Sequence, residues 1–323
     1  MKGKVLKINL SIFIILVKLL YTSLNAKEYS VAIFDFDVRQ RNQLTVAKYI
    51  EEKLLNTKHK FKKLEHFSGA NTEINSLRVL KKLDNENYDL IITITSDSMV
   101  PATHTLKNTP WLFTNINNPK FFGIRDINKP GNKKSGVTYY VPVIKQIEFF
   151  NQVLNNKLQK VGLIFDYYAK SRRAELVEFR EVCLTLNIKY DIKLIKGVED
   201  FPKVTKELLA DNVDAIIVTS SGKLYNNIDK ILNLTNDKKV PIFSVNKKGV
   251  PNGALSALAS DYYKMVDENL IPMVLDVLQN GKNPGNMPIQ YSKNPLIYIN
   301  QTQANKLGLD ISTGMLKSAS KIY

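Results

Sequence analysis

Short apolar segments alternate with segments of helical periodicity along most of this chain. Between the apolar segments, hydrophobic residues recur every three or four positions, as they do over residues 41–56. Strands that alternate with helices predict a parallel, doubly wound sheet. The pattern restarts after residues 131–142, so two α/β lobes are predicted. The clearest apolar segments are 29–34, 61–67, 89–94, 161–165, 215–218 and 240–245.

The N-terminus has the layout of a secretory signal. Three lysines lie in the first seven residues, an apolar segment covers residues 8–17, and a polar segment ends at Ala26. This order predicts export to the periplasm with cleavage after Ala26. The alternative is an uncleaved N-terminal anchor. Lys18 disfavours it, because it leaves fewer than the roughly 20 apolar residues that a spanning helix needs.

The charge balance is basic but carries no nucleic-acid signature. The formal net charge is +16, and removal of the four lysines of residues 1–26 leaves +12. Lysines are spread along the chain and arginine is scarce, which favours a solvated surface near anionic lipid over nucleic-acid binding. Cys183, the single cysteine, cannot form an internal disulfide and is predicted to be a small buried apolar residue.

No catalytic or metal-binding pattern is present in the sequence. The three histidines are His59, His66 and His104, and the first two lie in a lysine-rich segment. No Cys/His spacing is typical of a metal site, and there is no P-loop, nucleophile elbow or dinucleotide fingerprint. We therefore expect no enzyme activity, no metal and no cofactor.

Polar and aromatic residues instead follow most of the predicted strands. They occupy residues 35–37, 95–98, 114–119, 166–171 and 219–222. Ligands of open parallel sheets bind at these carboxyl ends, so the pattern predicts a binding cleft. Ser96 and Ser98 have two interpretations: they bind a ligand carboxylate at a helix start, or they cap that helix.

Four segments resemble one family, in the same order along the chain. They are KPGNKKSGVT at 129–138, PWLFTNINNP at 110–119, VPIF with GALSAL and DYY over 240–263, and NQTQANKLGL at 300–309. These segments resemble the ABC-transporter substrate-binding proteins of the tryptophan/tyrosine-binding (TrpX-like) type.

The resemblance implies a type I periplasmic-binding fold, with two Rossmann-like lobes and parallel sheets joined by three hinge crossovers. We place the crossovers near Thr138, Asn246 and Met287. The lobes would then comprise 27–138 with 247–287, and 139–246 with 288–323. Hinge closure of the two lobes on a ligand is expected.

The resemblance also implies a function. The chain would capture a small polar or amino-acid-like solute, aromatic amino acids included, and pass it to an ABC permease with its cytoplasmic ATPase. We expect a monomer with no membrane span in the mature chain. The alternative is a ligand-sensing module that signals to a membrane receptor. Carried over by position, the ligand-binding residues would be Ser96, Ser98, Asn115, Asn117, Thr138, Tyr139, Tyr167, Ser171, Ser220, Ser221 and Asp261.

Two positions depart from the family pattern. Asn118 stands where an Asp usually precedes the proline, and Ser221 stands where many members have an Asp that could pair with a ligand ammonium group. An amino-acid ligand needs some carboxylate for that charge. The candidates that could replace it are Asp35, Asp37, Asp166 and Asp261.

Overall fold

The structure is a computed structural model that describes residues 27–37, 41–169 and 172–323. The predicted signal segment therefore lies outside the described residues. The strands are β1 (Glu28–Asp35), β2 (Lys60–Ser68), β3 (Leu90–Ile94), β4 (Trp111–Ile116), β5 (Lys134–Thr138), β6 (Lys160–Asp166), β7 (Lys189–Ile195), β8 (Ala215–Val218), β9 (Ile242–Ser244), β10 (Ser256–Ala259), β11 (Gln290–Tyr291), β12 (Leu296–Ile299) and β13 (Ala319–Ile322).

Twelve α-helices lie in the described part of the chain. They are α1 (Arg41–Leu55), α2 (Glu73–Asn85), α3 (Ser96–Thr105), α4 (Val143–Val153), α5 (Arg172–Thr185), α6 (Phe201–Ala210), α7 (Gly222–Tyr225), α8 (Leu232–Asp237), α9 (Tyr262–Met265), α10 (Ile271–Asn280), α11 (Gln301–Leu307) and α12 (Thr313–Ser318). A π-helical turn, Val266–Leu270, connects α9 to α10. No helix among the described residues is long and apolar enough to cross a bilayer.

The first sheet has the strand order β11-β5-β4-β3-β1-β2. Its central strands are apolar because they are covered on both faces; every residue of β3 is buried, and β1 is buried after Glu28. β1 pairs in parallel with β2 on one side and with β3 on the other. The connections therefore run in opposite directions from β1, and the carboxyl ends of β1 and β3 form a topological switch point.

The second sheet has the order β13-β12-β10-β9-β8-β6-β7. β6 pairs in parallel with β7 and β8, so it holds the place that β1 holds in the first sheet. The core against this sheet includes Phe150 stacked on Phe243, with ring centroids 4.4 Å apart. Cys183 is fully buried in the same core, as predicted, and burial raises the pKa of its thiol to about 11. The predicted pair of doubly wound sheets is thus confirmed.

The chain divides into two compact units. Of the described residues, the first comprises 27–114, Asn128–Gly136 and Val266–Pro288, and the second comprises Asn115–Ile127, Val137–Met265 and Ile289–Tyr323. The crossover expected near Asn246 differs from this division. β10 is hydrogen-bonded to β9 and β12 of the second sheet, so the chain leaves that unit only after Met265.

β5 is a strand that hydrophobic periodicity does not reveal, because Lys134, Ser135 and Gly136 open it with two polar residues and a glycine. Gly136 is required there by a close approach of two backbones. A Cβ atom at this position would lie 2.0 Å from the carbonyl oxygen of Phe113 and 2.6 Å from its amide nitrogen. These backbone atoms belong to a buried strand and cannot move aside cheaply.

We predict that Gly136→Ala destabilises the protein by about 3 kcal/mol or more, because the added methyl group overpacks a buried backbone contact. The midpoint of urea-induced unfolding measures the effect. Gly314→Ala in α12 is the matched control, since nothing lies within 4 Å of a Cβ atom there. Equal midpoints for the two variants would contradict this account of Gly136.

Candidate functional site

The switch point of each sheet carries a carboxyl group. Asp35 is the last residue of β1, and Asp166 is the last residue of β6. Both are buried, at 2% and 7% exposure. Each follows an apolar strand whose carboxyl end is the place where doubly wound folds bind their ligands. The surroundings of these two carboxyl groups are described in turn.

In the first unit, Asp35 has an oxygen without a partner. Its Oδ1 atom is buried and accepts no hydrogen bond. Burial raises the pKa of its carboxyl group to about 8, so the unliganded protein holds Asp35 largely protonated at neutral pH. The residues in register with it on the neighbouring strands, Ser68 and Ile94, carry no charge.

Thr95 follows β3 in a strained conformation. Its φ is +78° and its ψ is 158°, a region that β-branched residues rarely adopt, and its Oγ1 atom is buried without a partner. Such a conformation costs on the order of 1–3 kcal/mol and is typical of functional sites. Sequence analysis did not single out Thr95, because nothing in its residue type signals the backbone strain.

The two serines of α3 differ. Ser98 is fully buried, and its hydroxyl donates a hydrogen bond of 2.6 Å to the carbonyl oxygen of Ile94. Its proton is therefore donated to the last residue of β3 and is not available to an anion. Ser96 is half-buried at the first position of α3. Of the two predicted carboxylate ligands, Ser96 alone stays a prediction.

The residues predicted on β4 and β5 also separate into two groups. The Thr138 hydroxyl lies 2.9 Å from the carbonyl oxygen of Ile116 and accepts the Tyr140 N–H, so it holds the backbone together. The Asn117 side chain accepts the N–H of the next residue. Asn115, by contrast, has a positive φ of 56° and a buried Oδ1 atom without a partner.

In the second unit, Asp166 is fully engaged. Its Oδ2 atom accepts the Ser221 hydroxyl at 2.7 Å, and its Oδ1 atom accepts Lys223 Nζ at 2.9 Å and the Tyr168 N–H at 3.0 Å. Burial by itself would raise the pKa of Asp166. The hydrogen bonds from Lys223 and Ser221 outweigh burial and lower that pKa below its ordinary value.

An aromatic and cationic cluster follows β6. Tyr167 is 42% exposed, and the Arg172 guanidinium lies over its ring at 4.4 Å from the centroid. The Nη1 atom of Arg172 is buried and has no hydrogen-bond partner. Nearby, the Ser220 hydroxyl donates to the buried Glu175. Sequence analysis missed Arg172 and Glu175, and Ser171 lies outside the described residues.

A second aromatic group follows β5 and β10. The rings of Tyr139 and Tyr262 are 5.4 Å apart, and Lys247 Nζ lies 5.6 Å from the Tyr262 centroid. Asp261 accepts the N–H groups of Tyr263 and Lys264, and so begins α9. Its carboxylate has a structural partner, whereas the half-buried Tyr139 ring is suited to contact an apolar ligand surface.

The two departures from the family pattern have physical reasons in this structure. Asn118 donates its side-chain amide to Glu178 at 2.9 Å, and Ser221 donates its hydroxyl to Asp166. An aspartate at either position would place two carboxylates in contact, and one of them would have to bind a proton. At both positions this chain therefore has a hydrogen-bond donor, and the acids that accept from them are Glu178 and Asp166. Among the described residues, no group of three or more His, Cys, Asp or Glu could hold a metal ion.

Comparisons with known proteins agree with this architecture. A curated relative, the tyrosine-binding protein of Clostridioides difficile (strain R20291), is 22% identical over 250 residues, which cover 76% of this chain and 71% of the relative. A ligand-free, open substrate-binding protein with adhesive properties from Clostridium difficile matches with a TM-score of 0.76 at 19% identity, over 91% of this chain and 98% of the other.

A further solved structure is the ABC domain from Streptococcus pneumonia in complex with L-Trp. It matches with a TM-score of 0.66 at 18% identity and covers 92% of this chain and 100% of its own. These similarities confirm the type I periplasmic-binding fold. The family model described as "ABC transporter substrate binding protein" matches residues 41–323, nearly the whole described chain. This chain therefore belongs to the ABC transporter substrate-binding protein family.

Proposed function

We propose that this protein is the extracytoplasmic substrate-binding component of an ABC importer and that it captures an amino acid with an aromatic side chain. The match of the family model to residues 41–323 carries this proposal. The protein binds its ligand without transforming it and delivers it to a permease that is driven by a cytoplasmic ATPase. The basic and apolar N-terminus supports export to the periplasm, where the protein acts as a monomer.

The ligand class follows from two kinds of support. A relative is named for tyrosine, and a solved structure of the same fold holds L-Trp. In this chain, the accessible rings of Tyr139 and Tyr167 lie at carboxyl ends of strands, where they can pack against an aromatic side chain. A binding site of this kind combines apolar surfaces with a few fixed polar groups.

We assign the ligand carboxylate to Arg172. A guanidinium binds a carboxylate with two parallel hydrogen bonds, and Nη1 of Arg172 is a buried donor that lacks an acceptor. The Tyr167 ring beneath the guanidinium fixes its plane. Ser96 remains a further candidate carboxylate ligand from its sequence position, whereas Ser220 and Ser221 are held by Glu175 and Asp166.

The first prediction concerns ligand-induced stability. L-Tyrosine or L-tryptophan at 100-fold excess over its Kd should stabilise the purified protein by about 2.7 kcal/mol, because it binds only the folded state. Differential scanning fluorimetry should show an increase in Tm of several degrees, with D-glucose as the unrelated control. A screen of amino acids that produces no shift, together with an empty site by mass spectrometry of the purified protein, would rule out the proposed function.

The second prediction concerns Arg172. Arg172→Gln should weaken binding of L-tyrosine by about 10- to 100-fold, since a hydrogen bond to a charged group contributes roughly 1.5–3 kcal/mol. Arg173→Gln is the matched control, because Arg173 is the next residue on the same helix and is exposed. Isothermal titration calorimetry measures both Kd values. Tyramine, which lacks the carboxylate, should bind wild type and Arg172→Gln equally; a loss for both ligands would contradict the carboxylate assignment.

A further inference from the structure

The four carboxylates that could bind a ligand ammonium group are not equivalent in the structure. Asp166 accepts three hydrogen bonds, one of them from a cation. Asp261 accepts two backbone N–H groups at the start of a helix. Asp37 is buried and already has an interaction partner. Asp35 alone among these four is both buried and left with an oxygen that accepts nothing.

A buried carboxyl oxygen without a partner requires an explanation, because nearly all buried polar atoms in folded proteins are hydrogen-bonded. Asp35 is almost completely buried, so its unpaired oxygen cannot bind water at the surface. Its backbone is held in place, because its carbonyl oxygen accepts the N–H of Gly69 at 2.8 Å. The residue is also at the switch point of its sheet, where this fold binds ligands.

The second unit shows what Asp35 lacks. Asp166 has the same topological position, at the end of the first strand of a doubly wound sheet, and it is nearly as buried. There, the ammonium group of Lys223 lies 2.9 Å from the carboxylate and keeps it ionised. Among the side chains that the structure describes, no cation is bonded to Asp35, and burial is the cause of its raised pKa.

We propose that the ligand supplies this missing cation, and that Asp35 binds the ammonium group of the amino-acid ligand. This assignment rests on the proposed function, which gives the ligand class. The ammonium group would do for Asp35 what Lys223 does for Asp166. Asp35 then determines specificity: it favours amino acids over their deaminated analogues, because an analogue without the ammonium group leaves the carboxyl group unpaired.

One consequence is measurable without a ligand. A carboxyl group whose folded-state pKa is raised destabilises the folded protein increasingly as the pH rises from the unfolded pKa of about 4 to the folded pKa of about 8. Asp35→Asn removes this effect. The Tm of the unliganded variant relative to wild type should therefore rise by several degrees between about pH 5 and about pH 8 and stay constant above that. A Tm difference that does not change with pH would show that Asp35 is not held as a buried acid.

The binding experiment separates the roles that Asp35 could have. Kd values for L-tyrosine and for its deaminated analogue 3-(4-hydroxyphenyl)propionate are measured by calorimetry on wild type, Asp35→Asn and Asp89→Asn. Asp89 is the control, because it is a carboxylate of the same unit that accepts the Ser30 N–H. It directly precedes β3, so it lies at the amino ends of the strands, whereas Asp35 lies at their carboxyl ends. The melting curve of each variant establishes that it is folded.

We expect Asp35→Asn to weaken binding of L-tyrosine by about 10- to 100-fold and to leave binding of the analogue unchanged, as the loss of a charged hydrogen bond predicts. Asp89→Asn should bind both as wild type does. Unchanged affinity of Asp35→Asn for L-tyrosine would overturn the assignment, since it would show that the negative charge of Asp35 contributes nothing to binding. Equal losses for both ligands would overturn it too. If wild type binds neither L-tyrosine nor L-tryptophan, the proposed function itself fails, and this assignment fails with it.

Discussion

A carboxyl group at the end of a buried strand must either bind a proton or face a cation, and both units of this protein are built around that requirement. Transfer of an unpaired charge out of water is too costly to survive in a folded protein. Asp166 meets the requirement with Lys223 and Ser221, and its pKa is lowered. Asp35 meets it with a proton, and its pKa is raised to about 8. The same residue at the same topological position therefore forms a finished structural element in one unit and an incomplete one in the other.

The polar residues around these acids follow from the same electrostatics. Ser221 and Asn118 stand where the resemblance in sequence leads us to expect acids, and in this chain both donate hydrogen bonds to a carboxylate. Ser221 and Asn118 therefore do not simply remove an acid from the site. The acid lies at Asp166 beside Ser221 and at Glu178 beside Asn118, and Ser221 and Asn118 donate the hydrogen bonds. An ammonium partner has to be sought elsewhere, and among the four candidate aspartates Asp35 is the one with a buried oxygen that accepts no hydrogen bond.

The sequence predicts the sheets better than it predicts the site. Apolar strands such as β3 and β8 are evident from composition, because burial on both faces demands it. β5 is not evident from composition, because its polar residues and Gly136 form a strand only through pairing and close contact with the neighbouring strand. Within the site, Ser98 and Ser96 look alike in sequence, yet the Ser98 hydroxyl donates to the carbonyl oxygen of Ile94, the last residue of β3. Residue type and position do not specify which donors are already used. Arg172 is the opposite case. Nothing in its sequence context indicates a ligand-binding role, whereas the structure shows that its buried Nη1 atom has no hydrogen-bond partner.

The two groups that we propose as ligand partners have opposite charges, an acid at Asp35 and a guanidinium at Arg172. A zwitterion satisfies both, whereas a neutral solute would leave both unpaired and a simple carboxylate would leave Asp35 protonated. Selection of an amino acid as a class therefore depends on electrostatics, and that discrimination can be large because it leaves buried polar groups unsatisfied in the wrong complex. Selection among amino acids depends on the tyrosine rings and is weaker, since one methylene group in an apolar pocket changes binding by only about 1–3 kcal/mol. We therefore expect the protein to discriminate strongly against ligands that lack the ammonium or the carboxylate group, and less strongly among amino acids with different side chains.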